Sequence, residues 1–214
     1  DGATISGGIS YYGKNSINLV MKGENAITAS GSTGINIMPA PMGITISGDG
    51  ALTIVTEFQG IQAYFVNVES GTLKINAEQN GINAVGTGAW VTIKGGEVEI
   101  LSAVDAAGQA IYTGDEPVII EPQEGKNITV KAGESKETAL EIGTYNMESE
   151  DIQSSLDGCE YFHSYTTDIP TAITSVTVSP PAATVEAGQM QQFTATVSGT
   201  GEFSQEVTWS VSGG

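Results

Sequence analysis

The groups able to do acid–base or metal chemistry are few and scattered. His163 is the single histidine and Cys159 the single cysteine. Four residues apart in Cys159-Glu-Tyr-Phe-His-Ser-Tyr165, they read as neighbours along a strand surface rather than as a thiolate–imidazole dyad. One histidine also rules out a multi-histidine metal site, and one cysteine rules out an internal disulfide. All seven basic residues are lysines, so the chain has no arginine. The guanidinium fork that grips carboxylate, phosphate or guanine is missing, and a net charge of −18 leaves no electrostatic footprint for a phosphate backbone. No nucleic-acid partner is expected. Carboxylates number 25, yet a glycoside hydrolase needs two that face each other about 5–10 Å apart. Asp49 falls in a turn, Glu97 and Glu99 stand two apart on one outward face, and Asp105 and Asp115 fall in loops, so no catalytic residue is specified. Whether a metal binds is left unknown: hard cations favour oxygen ligands, but no spaced Asp-x-Asp-x-Asp-Gly loop of the EF-hand type occurs.

Sugar recognition asks for less: a ring for stacking and a few amides for hydroxyls. Phe65 and Trp90 each stand just before the first inward residue of a strand, which places them outward and one repeat apart. Asn36, Gln62 and Asn83 form a second outward row. These five are the candidate carbohydrate-binding residues. Their structural alternative is a corner stack that seals an edge, beside a self-bonded amide ladder.

Both rows depend on a repeat. Four segments share one pattern of apolar-x-apolar, a Gly-rich turn and apolar-x-apolar: Leu19 to Ala29, Ile44 to Ile54, Val66 to Ile75 and Val91 to Ile100. They start 25, 22 and 25 residues apart. Between them recurs a second element, Gly34-Ile35-Asn36, Gly60-Ile61-Gln62-Ala63, Gly81-Ile82-Asn83-Ala84 and Ala110-Ile111-Tyr112. Two interleaved motifs on one period describe one coil of a solenoid. Period-two alternation then predicts interior ladders: Leu19, Ile44, Val66, Val91; Met21, Ile46, Val68, Ile93; Ile27, Leu52, Leu73, Val98; Ala29, Ile54, Ile75, Ile100; and Ile35, Ile61, Ile82, Ile111. The Gly48-Asp49-Gly50, Ser70-Gly71 and Gly95-Gly96 steps are corners, not phosphate cradles, because strand-like residues follow where a helix would have to start. An antiparallel sandwich also explains alternation, but not the matched register. Stacking the coils pairs outward Glu69 with Lys94 and Lys74 with Glu99.

The expected fold is therefore all-β: a right-handed parallel β-helix over residues 1–166, a linker at 167–172, and part of an Ig-like sandwich at 173–214. Residues 134–157 are expected to be a loop or helical turn covering the open end, and 159–165 a closing strand. No apolar run approaches the roughly 18 residues of a membrane span, so no membrane insertion is expected. The opening at Asp1 lacks a charged and an apolar leader region, which points to a removed signal or an excised piece.

Residues 173–214 hold three alternating strands, with the phrases Ser179-Pro-Pro, Glu186-Ala-Gly, Phe193-Thr-Ala-Thr-Val and Val207-Thr-Trp-Ser. This stretch resembles the first half of a bacterial Ig-like domain of the Big family. The resemblance implies a stalk module that continues further or completes itself by strand exchange with another chain. Residues 17–115, and with the cap 17–166, resemble the β-helical carbohydrate-binding-like proteins of bacterial surfaces, on phrases such as Ile46-Ser-Gly-Asp-Gly and Gly60-Ile-Gln-Ala. That resemblance implies an extracellular or cell-surface location, a polysaccharide partner, and calcium as the one cofactor it allows. It shares its fold with pectate lyases, whose basic group is typically arginine. With no arginine present, a binding protein rather than an enzyme is expected; a polysaccharide lyase or hydrolase, and a structural spacer or protein-binding adhesin, are the alternatives.

Overall fold

The computed structural model describes residues 2–103, 108–146, 148–201 and 203–210; Asp105 and the last four residues lie outside them. The chain divides into two compact units, Asp1–Thr167 and Asp168–Gly214.

Alternating Val, Ile and Thr between Gly-rich corners folds the first unit into a parallel β-solenoid of about five turns. Each turn contributes a strand to three sheets. The long sheet stacks Thr4–Ser6, Glu24–Ala29, Ala51–Thr56, Thr72–Ala77 and Glu97–Ser102 in parallel. The short sheet stacks Ile9–Tyr11, Ile35–Ile37, Ile61–Ala63, Ile82–Ala84 and Ile111–Tyr112. The third sheet stacks Ile17–Met21, Ile44–Gly48, Phe65–Val68, Trp90–Ile93 and Val118–Ile120.

Inward residues meet their own kind. Ile27, Ile54, Ile75 and Ile100 are register partners, all buried, and Ile35, Ile61, Ile82 and Ile111 form the matching column on the short sheet. Each such side chain contributes about 1.5–3 kcal/mol on leaving water. The recurrent Gly before Ile makes room for this column. A Cβ at Gly34, Gly60 or Gly81 would stand 2.4, 2.3 or 2.0 Å from the Cγ2 of Ile54, Ile75 or Ile100.

The first turn departs from the expected register by two residues. Ile17, not Leu19, faces Ile44, and Ile27 faces Ile54, not Leu52. Gly48 and Gly50 are both available to align with Gly23, and the Ala51 N–H to Gly23 C=O bond (2.9 Å) selects Gly50. A two-residue slip keeps the same side chains inward, so the pattern alone does not distinguish the two. Opposite Leu52 stands Asn25, whose amide donates to the carbonyls of Lys22, Gly23 and Ala51 and closes the corner.

Residues after Ile120 form a cap richer in strand than a loop or helical turn. Lys126–Gly133 pairs antiparallel with Leu140–Asn146, Glu150–Asp151 closes the third sheet, and among the described residues of the cap only Gln153–Ser155 is helical, as a 3₁₀ turn. Ile128, Val130, Ile152 and Leu156 join the core. Tyr161–Asp168 then runs antiparallel to Glu97–Ser102, with Phe162 fully buried against Ile100. The reversal ends the parallel edge that would otherwise remain open.

In the second unit, Ala172–Ser179 pairs antiparallel with Thr194–Thr200. The expected third strand is not formed at 207–210, and Trp209 is 54% exposed. Val197 is buried, whereas Ile173 and Val176 are more than half exposed. A single strand pair offers too little apolar surface to bury both of its faces.

Truncating Ile75 to Ala is expected to lower unfolding free energy by about 2–5 kcal/mol, and Gly60→Ala by about 1–3 kcal/mol through overpacking against Ile75 and the Gly81 carbonyl. Urea denaturation of the full chain measures both, and a loss below 0.5 kcal/mol (about the level of a neutral surface change) contradicts the stacking described.

Candidate functional site

The aromatic row lies where the short sheet turns into the third. Most turns cross that corner with several residues, but Ala63 and Phe65 are joined by Tyr64 alone. Phe65 and Trp90 are register partners whose rings stack at 4.9 Å and 11°. Tyr64 packs against Trp90 in a T-shaped pair at 5.6 Å and 82°, and its hydroxyl donates to the Thr87 carbonyl at 2.9 Å. Beneath Phe65 sits Gly43, where a Cβ would approach the Phe65 ring to 2.4 Å. All three rings are half-buried, and Phe65 and Trp90 each cover one face of the other. An aromatic pair of this kind adds about 0.5–1.5 kcal/mol beyond its buried area.

Asn36, Gln62 and Asn83 are register partners on the short sheet. They therefore occupy the sheet adjoining the aromatic row. Asn83 is 9% exposed, and the Oδ1 atoms of Asn36 and Asn83 are buried without a hydrogen bond inside the protein. Asn67, outward on the third sheet, has its Oδ1 in the same condition. Buried amide oxygens without partners are uncommon and costly.

The outer face of the long sheet gathers a constellation of which the sequence indicates the Lys74–Glu99 pair and the outward Glu97, but not the partners that come from the cap. Lys74 lies beside Glu99 in register, with Nζ 3.8 Å from Oε2. Lys136, from the loop of the cap hairpin, reaches the other carboxylate oxygen, and the Tyr161 hydroxyl donates to that same oxygen at 3.1 Å. Two positions earlier on the same strand, Glu97 has its Oε1 3.2 Å from His163 Nε2. Lys136 holds the Glu99 carboxyl below its ordinary range, partial burial works against that, and Tyr161 and Lys74 add to the lowering. Burial, then the charge and hydrogen bond of Glu99, push the Tyr161 phenol up to about 12. Tyr161 and Lys136 are 62 and 37 residues from Glu99 in sequence. No local pattern encodes that meeting, because it depends on the antiparallel return of the cap. Lys94 bonds forward to Glu121 at 3.1 Å rather than back to Glu69.

Glu97 and Glu99 project from one strand, Glu97 against the His163 imidazole and Glu99 held by two lysines and the Tyr161 phenol. Cys159 is directed to the Ser155 carbonyl at 3.7 Å, and burial with nearby Asp157 raises its thiol, so the thiolate is disfavoured. Among the described residues, no group of three carboxylate, imidazole or thiol side chains gathers to hold a metal, so the calcium allowed by the resemblance has no such cluster there. No helix among them is long and apolar enough to cross a membrane.

Residues 172–214 match the bacterial Ig-like domain (group 2) family. No curated protein and no solved structure matches the chain. A β-solenoid joined to an Ig-like region of this family is consistent with a surface or adhesion-type protein.

In the unfolded chain the Tyr161 phenol ionises near 10, while the folded chain keeps its proton to about 12. The unfolded state therefore loses the proton first, and stability falls as pH rises between those values. Tyr161→Phe is expected to flatten that alkaline slope in urea denaturation and to remove the last-titrating phenolate from the ultraviolet spectrum. An unchanged slope contradicts the burial of the phenol against Glu99.

Proposed function

We propose that this chain is a non-catalytic bacterial cell-surface protein that binds polysaccharide through its solenoid, with the Ig-like region serving as a stalk. The observation that carries this reading is the cluster of Tyr64, Phe65 and Trp90 at one corner of a rigid coil. Amphipathic rings held half-exposed on a fixed scaffold suit the C–H faces of sugars. Of the neighbouring row, half-buried Gln62 supplies an amide of the type that bonds hydroxyls, whereas Asn83 and the Oδ1 of Asn36 are buried away from a ligand. Two lines argue against catalysis: the absence of arginine, and carboxylates that are tied to lysine, histidine and tyrosine rather than opposed across a gap. The exposed Ile173, Val176 and Val178 of the Ig-like region form a surface that strand exchange with another chain would cover.

Glycan-array binding of the full chain, with and without calcium, tests the reading. Trp90→Ala is expected to weaken retained glycans about tenfold, the scale of one lost ring contact. Incubation with neutral and acidic polysaccharides is expected to release neither unsaturated nor reducing ends. Release of either moves the assignment to a lyase or hydrolase, and an empty array moves it to a spacer or protein-binding adhesin.

A further inference from the structure

The outer face of the long sheet carries a groove separate from the aromatic corner. Its floor is one register column, Thr28, Val55, Asn76 and Leu101, ending at Tyr161 of the cap. One side chain comes from each turn, so the column repeats at the inter-strand spacing of about 4.8 Å. Two clefts of about 230 and 270 Å³ lie along it, and Asn76 lines both. The first is walled by Lys74, Glu99 and Lys136, the second by Glu57 and Glu78. Val55 and Leu101 are 44% and 40% exposed, large apolar side chains left open on an otherwise polar floor.

We propose that this groove is a second glycan-binding site, which takes a linear neutral polysaccharide running along the solenoid axis. The site rests on the reading that the chain binds glycans. The chemistry sorts the ligand in three steps. Exposed Val55 and Leu101 offer apolar contacts to the C–H faces of sugar rings, one turn to either side of Asn76. The Asn76 amide, the hydroxyls of Thr28 and Thr53, and the wall carboxylates offer both donors and acceptors to hydroxyl groups. The wall charges are three carboxylates against two ammonium groups, within a chain of net charge −18. Both ammonium groups are already bonded to Glu99. A polyanion spanning both clefts would meet net repulsion, because Glu57, Glu78 and the surplus of carboxylates on the chain outweigh the one excess ammonium group of the first cleft, whereas an uncharged polymer would not. The fixed ladder orders these groups before any ligand arrives, which limits the entropy lost on binding.

Affinity electrophoresis of the full chain tests the site, in native gels carrying a panel of neutral polysaccharides (galactomannan, hydroxyethyl cellulose, soluble starch) or acidic ones (polygalacturonate, alginate). Retardation by a neutral polymer is expected, and Asn76→Ala is expected to raise its apparent Kd about tenfold, the scale of one lost hydrogen-bonding amide. Val55→Lys, at an exposed position, is expected to act in the same direction with unchanged thermal melting. Trp90→Ala, run in parallel, reads the aromatic corner. Retardation that survives both groove substitutions overturns the groove and leaves glycan binding standing. Retardation by acidic polymers alone overturns the neutral assignment. No retardation in any gel overturns the glycan-binding reading, and the groove with it.

Discussion

The structure depends on one constraint: successive turns of the coil run in the same direction and align residue for residue. Between parallel strands of the coil, backbone hydrogen bonds are made to the turn above or below, so a turn does not satisfy its own strands' polar groups. Alignment also forces each inward residue onto its counterpart, which is why Ile54 meets Ile75 and Ile100 and why Gly34, Gly60 and Gly81 must lack a Cβ beside them. The cap is the other half of this constraint. Parallel pairing has no natural end, and Tyr161–Asp168 supplies one by reversing direction and burying Phe162 on the last isoleucine of the ladder.

The same alignment organises the outside of the molecule. Side chains on one outward column lie about 4.8 Å apart, so whatever one turn presents is extended by the next. Phe65 and Trp90 become a stack, Asn36, Gln62 and Asn83 become a row, and Lys74 falls beside Glu99. Exposed ion pairs of this kind contribute little stability, about 0–1 kcal/mol. Their effect is on register, since like charges in direct opposition would favour a different alignment. Glu99, with two lysines and a phenol around it, also ties the cap hairpin to the face of the long sheet.

The two outward surfaces differ in character. At the aromatic corner the rings are largely committed to one another, and Asn83 is drawn into the wall of the coil. The long sheet, by contrast, leaves Val55, Asn76 and Leu101 open along a continuous column bordered by charged side chains. A rigid face with repeating chemistry is suited to a ligand that itself repeats. The surplus of carboxylates sets the polarity of such a ligand more strongly than any single side chain does.

Composition and spacing determined the class of fold, the three strands per turn in the central coils, the inward residues and the outward rows. Alternation and glycine corners are local properties, and stacking turns multiplies them. The exclusion of arginine chemistry was also complete in the sequence. Tertiary structure alone decided the register of the first turn, because Gly48 and Gly50 preserve the same parity and only hydrogen bonding to Gly23 separates them. It decided that Lys94 bonds to Glu121 rather than Glu69, and that residues 207–210 form no third Ig-like strand. It also decided that Tyr161 and Lys136 converge on Glu99, where the chain doubles back against the parallel sheet. Periodicity specifies which face a residue takes, but it carries no information about non-local contacts made where the period breaks.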